Sequence, residues 1–107
     1  MSEKNENLIL NEQIKEDVVN LFQAFSNKTR LNILFVLKQQ PLTVTEICEK
    51  LDVSQSAISH QLRRLKLARL VTNKREGRKI IYTLADHHIH DIFDLAIEHV
   101  KEIYHYE

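Results

Sequence analysis

The chain has 107 residues, one domain's worth on the usual scale of roughly 100–200 residues per domain. Hydrophobic residues make up 43%, charged residues 28% and the formal net charge is zero, a composition that folds and excludes a disordered chain. One Gly and one Pro leave too little turn chemistry for a many-stranded sheet, so an all-β sandwich or barrel is excluded and a mainly α fold is expected.

From residue 8 to 25 the apolar residues Leu10, Ile14, Val18, Leu21, Phe22 and Phe25 keep a helical period and predict a first amphipathic helix. Ser26 or Asn27 can cap a second helix over Lys28–Gln39, with Pro41 just past its end. Thr43 and Glu46 have capping-box spacing and predict a short helix from Val44 to about Lys50. After Leu51-Asp52-Val53, Ser54 is a second N-cap, with Val53 and Ile58 placed as a hydrophobic staple, and the next helix runs to about Leu67. Two short helices with a three-residue link, over 43–67, have the proportions of a helix-turn-helix.

On its second helix Ile58, Leu62 and Leu65 form a buried stripe, while Ser56, Ser59, His60 and Arg63 form a polar one. With Ser54 and Gln55 at the helix start, these short hydroxyls, amide and imidazole suit base edges and phosphates in a major groove. Segments rich in Val, Thr, Ile and Tyr over 70–84 flank Arg75-Glu76-Gly77-Arg78 and predict a hairpin whose tip uses the only Gly. A basic-tipped hairpin directly after a helix-turn-helix is the wing of a winged helix, and Lys74, Arg75, Arg78 and Lys79 are its candidate DNA-binding residues. The fold class expected is therefore mainly α with a small β-hairpin: a single winged helix-turn-helix domain over 1–107.

Charge is unevenly distributed. From Ser54 to Ile80 eight basic residues face one acid, Glu76, for a net +7, whereas Met1–Asn27 carries −3 and Ile81–Glu107 carries −5. One basic segment between acidic ends is the footprint of a domain that sets one face against phosphates, although a solvated charged face accounts for the charges alone equally well. No apolar run approaches the roughly 18 residues of a membrane span and Met1–Asn7 has no signal-peptide core, so a cytoplasmic protein with no membrane partner is expected. Cys48 is the only cysteine, which excludes an intrachain disulfide and fits a reducing compartment.

A last helix over 85–105 is expected from the period of Ile89, Ile92, Phe93, Ala96, Ile97, Val100, Ile103 and Tyr104. His87, His88, His90 and His99 crowd into it, with His105 close behind. At about 100° per residue His88, His99 and Glu102 share one edge of the apolar stripe. Eleven residues at about 1.5 Å each nevertheless separate His88 from His99 by roughly 16 Å, so one ion cannot touch both within one chain. If the same helix of a second copy packs antiparallel, Asp86 and His88 of one chain come level with His99 and Glu102 of the other. Two symmetric sites result, each with nitrogen and oxygen donors that suit tetrahedral Zn²⁺, and Co²⁺ as its geometric mimic. Solvated histidines on an ordinary helix are the alternative reading.

Together these segments resemble the ArsR/SmtB family of winged-helix, metal-responsive bacterial repressors, over nearly the whole chain. Phe25-Ser26-Asn27-Lys28-Thr29-Arg30-Leu31-Asn32-Ile33-Leu34 resembles the family's second-helix entry. Ser54-Gln55-Ser56-Ala57-Ile58-Ser59-His60-Gln61-Leu62 resembles its recognition helix, and Arg75-Glu76-Gly77-Arg78 with Tyr82 its wing. Asp86-His87-His88 and His99-Val100-Lys101-Glu102 resemble the last-helix site of the family's zinc sensors, in its glutamate version. The segment Glu46-Ile47-Cys48-Glu49-Lys50-Leu51 departs from the Cys-x-Cys pair of members that sense thiophilic metals: Lys50 stands where the second thiol would be, and Cys48 reads as a small core residue. The resemblance implies a homodimer, joined through its terminal helices, that binds an imperfectly palindromic operator when apo. On Zn(II) binding it dissociates and derepresses metal efflux or resistance genes. It implies no catalysis. A winged-helix regulator outside metal control and a zinc-binding protein without regulatory DNA binding are the alternatives. An N–H of a coordinated His99 is expected to reach backbone carbonyls around Leu65 to Ala68, where the recognition helix ends.

Overall fold

The computed structural model of the chain describes residues 9–106. Helix α1 (Glu12–Phe25) begins four residues later than the helical period predicts, because Asn11 caps it: Asn11 Oδ1 accepts from the backbone N–H of Gln13 and Ile14 at 2.9 and 3.2 Å. Ile9 and Leu10 precede that cap, and Leu8 lies outside the described residues. Helix α2 (Lys28–Gln39) is capped by Asn27, whose side chain accepts from the Arg30 N–H, rather than by Ser26. The capping box of Thr43 and Glu46 is present and opens helix α3 (Val44–Leu51). Its C-cap Asp52 is left-handed at φ 56° and turns the chain into Ser54, whose Oγ accepts from the Ala57 N–H to start helix α4 (Gln55–Leu67).

Helix α4 ends in a Schellman motif, with the N–H of Leu70 on the carbonyl of Leu65 and that of Arg69 on the carbonyl of Lys66. The left-handed position of this motif, usually a glycine, is Arg69 at φ 63°. The wing follows as β2 (Val71–Glu76) and β3 (Lys79–Leu84), paired antiparallel from Val71↔Leu84 to Glu76↔Lys79. Its turn is only Gly77-Arg78, tighter than the four-residue tip expected from the sequence. Gly77 has φ 64° and Arg78 is not left-handed, the pattern of a type II′ turn whose twist suits a two-residue hairpin. A third strand that the sequence does not announce, β1 (Leu42–Thr43), pairs with Tyr82 and Ile81 and gives the order β1-β3-β2. Strand β1 runs directly into α3, so the wing is bolted to the first helix of the helix-turn-helix.

Helix α5 (His87–Tyr104) starts after its N-cap Asp86 and stops at left-handed His105, one to two residues inside the expected 85–105 at each end. The core holds Ile33, Leu34 and Leu37 of α2, Leu42, Ile47, then Ile58, Leu62 and Leu65 of α4, Leu70, Val71, and Ile89 and Phe93 of α5. Burying each such side chain stabilises by about 1.5–3 kcal/mol. Phe93 lies against Phe25 and Phe35 with ring centroids 6.3 and 6.0 Å away, and Lys38 holds Asp94 at 2.8 Å, which fixes α5 on α2. That contact also holds the Asp94 carboxyl below the ordinary aspartate range. Cys48 is half-buried against the core, as a small apolar residue would be.

Helix α1 contributes no buried residue, and its Ile14, Val18 and Phe22 remain exposed together with Val100, Ile103 and Tyr104 of α5. Among the described residues no helix is long and apolar enough to cross a membrane.

Candidate nucleic-acid interface and metal centre

The side chains that turn α4 inward, Ile58, Leu62 and Leu65, are fully buried, so the opposite edge is held outward. Gln55, Ser56, His60 and Arg63 are exposed, while Ser59 is half-buried. Ser54 Oγ spends its acceptor on the helix N-terminus and lies 3.4 Å from Ser56 Oγ, which leaves two hydroxyls side by side at the start of α4. Gln55 shares a cleft with Thr45 of α3 and with Arg78 and Lys79 of the wing, so the β1–β3 pairing brings basic wing residues to the N-terminal end of α4. Arg63 borders a second cleft, with Lys66, Arg69 and Asn73, at the other end of that helix. Lys74 and Arg75 are exposed on β2, and Lys74 pairs with Glu76 at 3.3 Å, the one acid of the basic segment. The arrangement suits phosphate contacts flanking an outward helix face. Within α3, the Glu46 carboxyl is held below its ordinary range chiefly by the backbone N–H of Thr43.

Asp86 serves the helix as well as any ligand set. Its Oδ1 caps α5 by accepting from the His88 N–H at 2.9 Å and lies 3.3 Å from His88 Nδ1, so helix capping builds the two-donor pair. Both side chains are open to solvent, 56% and 85% exposed. His99 and Glu102 are exposed nearly one turn apart further along α5, and eleven and fourteen residues of helix place them about 16 and 21 Å beyond His88. Within one chain, the described residues form no group of three or more His, Cys, Asp or Glu side chains able to hold an ion. Two imidazoles and two carboxylates are a fitting donor set for zinc, and the chain offers them as two separated pairs. The cleft at the end of α4, bordered by Leu67, Ala68 and Arg69, is flanked in the same chain by Asp86 and His88, not by His99. The carbonyls of Leu65 and Lys66 are already taken by the Schellman motif.

Arg30, which no periodicity in the sequence singles out, sits behind this surface. Arg30 is buried, at 8% exposure, and donates to the carbonyls of Ala24 and Gln23 and to Gln61 Oε1 of α4. An isolated arginine in a helical period carries no sign of such a position; only its place in the motif around Phe25–Leu34 could have drawn notice.

The model of the arsR family of bacterial regulatory proteins matches residues 27–73. The HTH-type transcriptional regulator NmtR of Mycobacterium tuberculosis is 40% identical over 95 residues, covering 89% of this chain and 79% of that protein. The chain belongs to the arsR family. Another arsR-family relative, a transcriptional repressor SmtB homolog of Synechocystis, is 36% identical over 81% of this chain and 66% of its own length. A solved homodimeric winged helix-turn-helix DNA-binding domain from Mycobacterium bovis, described as a possible ArsR-family regulator, superposes with a TM-score of 0.82 at 26% identity, over 90% of each chain. The arsR family is one of DNA-binding transcriptional regulators, and the winged helix-turn-helix described above is its fold.

Proposed function

We propose that the chain is a zinc-responsive repressor that works as a homodimer. The observation that carries this reading is the pre-assembled Asp86–His88 pair on a helix whose apolar edge is uncovered, with His99 and Glu102 waiting at a matching distance along it. Antiparallel packing of α5 against a second copy covers Val100, Ile103 and Tyr104 and brings each half-set of donors to the other. The exposed face of α1 joins the same interface. Two sites per dimer follow from the two-fold symmetry.

In the DNA-bound arrangement, the two α4 helices enter successive major grooves of an imperfect palindrome, which requires them to be about 34 Å apart. Ser54, Gln55, Ser56, Ser59, His60 and Arg63 face the groove, while Lys74, Arg75, Arg78 and Lys79 hold the flanking phosphates. When bound, zinc supplies a rigid four-coordinate link between two chains, with cobalt a geometric substitute. Asp86 and His88 border the cleft at the end of α4, so fixing the angle between α5 helices also fixes the spacing of the reading helices. The arrangement that binds zinc better is the one that binds DNA worse, and by reciprocity operator DNA weakens zinc binding by the same factor. In this dimer His99 pairs with Asp86 and His88 of the partner subunit, which border the cleft at the end of its α4, so the route from metal to DNA crosses between chains. The genes released are those of metal efflux or resistance. Four protein donors leave no open position for a substrate water, which is the arrangement of a sensor and not of a hydrolase.

The test is zinc titrated into the chain bound to a fluorescent duplex that the apo chain selects from a random pool, with cobalt absorption read in parallel. Release at two metal ions per dimer is expected. Operator binding insensitive to zinc would return the chain to a regulator outside metal control, and zinc binding without salt-dependent DNA affinity would make it a zinc protein of another kind.

A further inference from the structure

Arg30 is the one charged side chain buried among the described residues, and its three partners are all neutral oxygens. Two of them, the carbonyls of Gln23 and Ala24 at 3.2 and 2.8 Å, are the last carbonyls of α1, where the helix dipole is negative and no basic residue of α1 itself lies in the last turn. The third, Gln61 Oε1 at 2.9 Å, projects from the middle of α4, thirty-one residues away in sequence. Helix α1 has no fully buried residue, and Leu21, Ala24 and Phe25 reach the core only in part. A guanidinium is a planar fork, and here one fork closes on two elements at once; a lysine ammonium carries the charge but cannot present donors in that fixed plane.

The consequence is mechanical. A buried charge without a carboxylate is costly, and it is tolerated where its hydrogen bonds fix a geometry. The geometry fixed here is the orientation of the DNA-reading helix relative to a helix with an uncovered apolar face. We propose that Arg30 is a positioning residue for DNA binding, which clamps α4 to the C-terminal end of α1 through Gln61 and thereby sets the spacing of the two reading helices in the dimer. The proposal rests on the reading of α4 and α1 as the DNA-reading and dimer helices. Arg30 is buried, so whatever it does to DNA affinity passes through its partners in α1 and α4, and Gln61→Met isolates the α4 arm.

The experiment uses the full-length apo chain and a duplex it selects from a random pool, together with the same duplex carrying one extra base pair between its half-sites. Gln61→Met removes the acceptor with little change in volume and leaves Arg30 its two carbonyls; Arg30→Lys, Arg30→Met and the double variant Arg30→Met/Gln61→Met complete the set. Affinities are read well below the unfolding temperature of every variant. Expected are an operator affinity about tenfold weaker in Gln61→Met, a double variant no weaker than Arg30→Met alone, and a smaller penalty for the inserted base pair, because a loosened helix tolerates wrong spacing. Arg30→Lys should fail to restore that penalty. Additive losses would make Gln61 an independent DNA contact and overturn the clamp. A spacing penalty equal to wild type would leave Arg30 a purely structural residue and overturn it too. Should the wild-type chain select no duplex, the DNA-reading assignment falls and takes the clamp with it, an outcome distinct from wild-type binding that the variants leave unchanged.

Discussion

A mixed dimer of His88→Ala and His99→Ala subunits separates an interchain metal site from one within a chain. Helix α5 is continuous from His87 to Tyr104, so His88 and His99 are eleven residues, about 16 Å, apart. Two nitrogens on one zinc, each about 2.0–2.1 Å from the ion, lie no more than about 4 Å from each other, and side-chain reach cannot close the difference. If the donors pair across the two-fold axis, each His88→Ala homodimer and each His99→Ala homodimer has two singly damaged sites. The mixed dimer instead gathers both lesions into one site and leaves the other whole. Differently tagged subunits, co-expressed and purified through both tags, are titrated with zinc against a chelating indicator. One tight zinc per mixed dimer is expected, against two for wild type and none for either homodimer. A mixed dimer with no tight zinc refutes the interchain assignment, since sites within single chains would both be damaged.

Arg63→Ala and His60→Ala, exposed on the outer edge of α4, should each cost about 1–3 kcal/mol of operator affinity in fluorescence anisotropy and leave zinc stoichiometry at two per dimer. Arg69→Gly relieves a left-handed non-glycine residue at the end of α4 and should stabilise the fold by about 1 kcal/mol, a rise of about 4 °C in Tm at matched protein concentration. The Glu46 carboxyl titrates below its ordinary range in the folded chain, so its share of stability is present above the ordinary glutamate pKa and lost as pH falls through the depressed folded value. Glu46→Gln keeps the capping hydrogen bonds and should flatten that acid limb of the stability–pH curve, measured by urea unfolding.

What the sequence made legible was what short-range chemistry decides. Thr43 with Glu46, Ser54 before Ala57, and the stripe of Ile58, Leu62 and Leu65 each act within one or two turns, and the structure has them as their spacing implies. Strand β1 was not legible because two residues carry no period; Leu42 and Thr43 become a strand only when Tyr82 and Ile81 arrive from forty residues on. Arg30 was hidden for a related reason, since its neighbours Gln23, Ala24 and Gln61 converge only in the fold. The late start of α1 was a misjudged boundary: the apolar period runs through Leu10, and the cap at Asn11 overrides it. The Asp86–His88 spacing fits a ligand pair, and the same two-residue spacing is that of a helix cap.

The uncovered face of α1 carries a consequence for gene dosage. With Phe22 56% exposed and no residue of the helix buried, α1 is completed by another copy in the proposed dimer, and there the stability of each chain depends on how many others surround it. In that dimer, newly made subunits at low copy number spend part of their time as incomplete folds open to proteases, and the paired population rises with the square of synthesis until pairing saturates. Halving the number of templates then removes more than half of the competent regulator, a steepness set by apolar side chains that touch neither DNA nor metal.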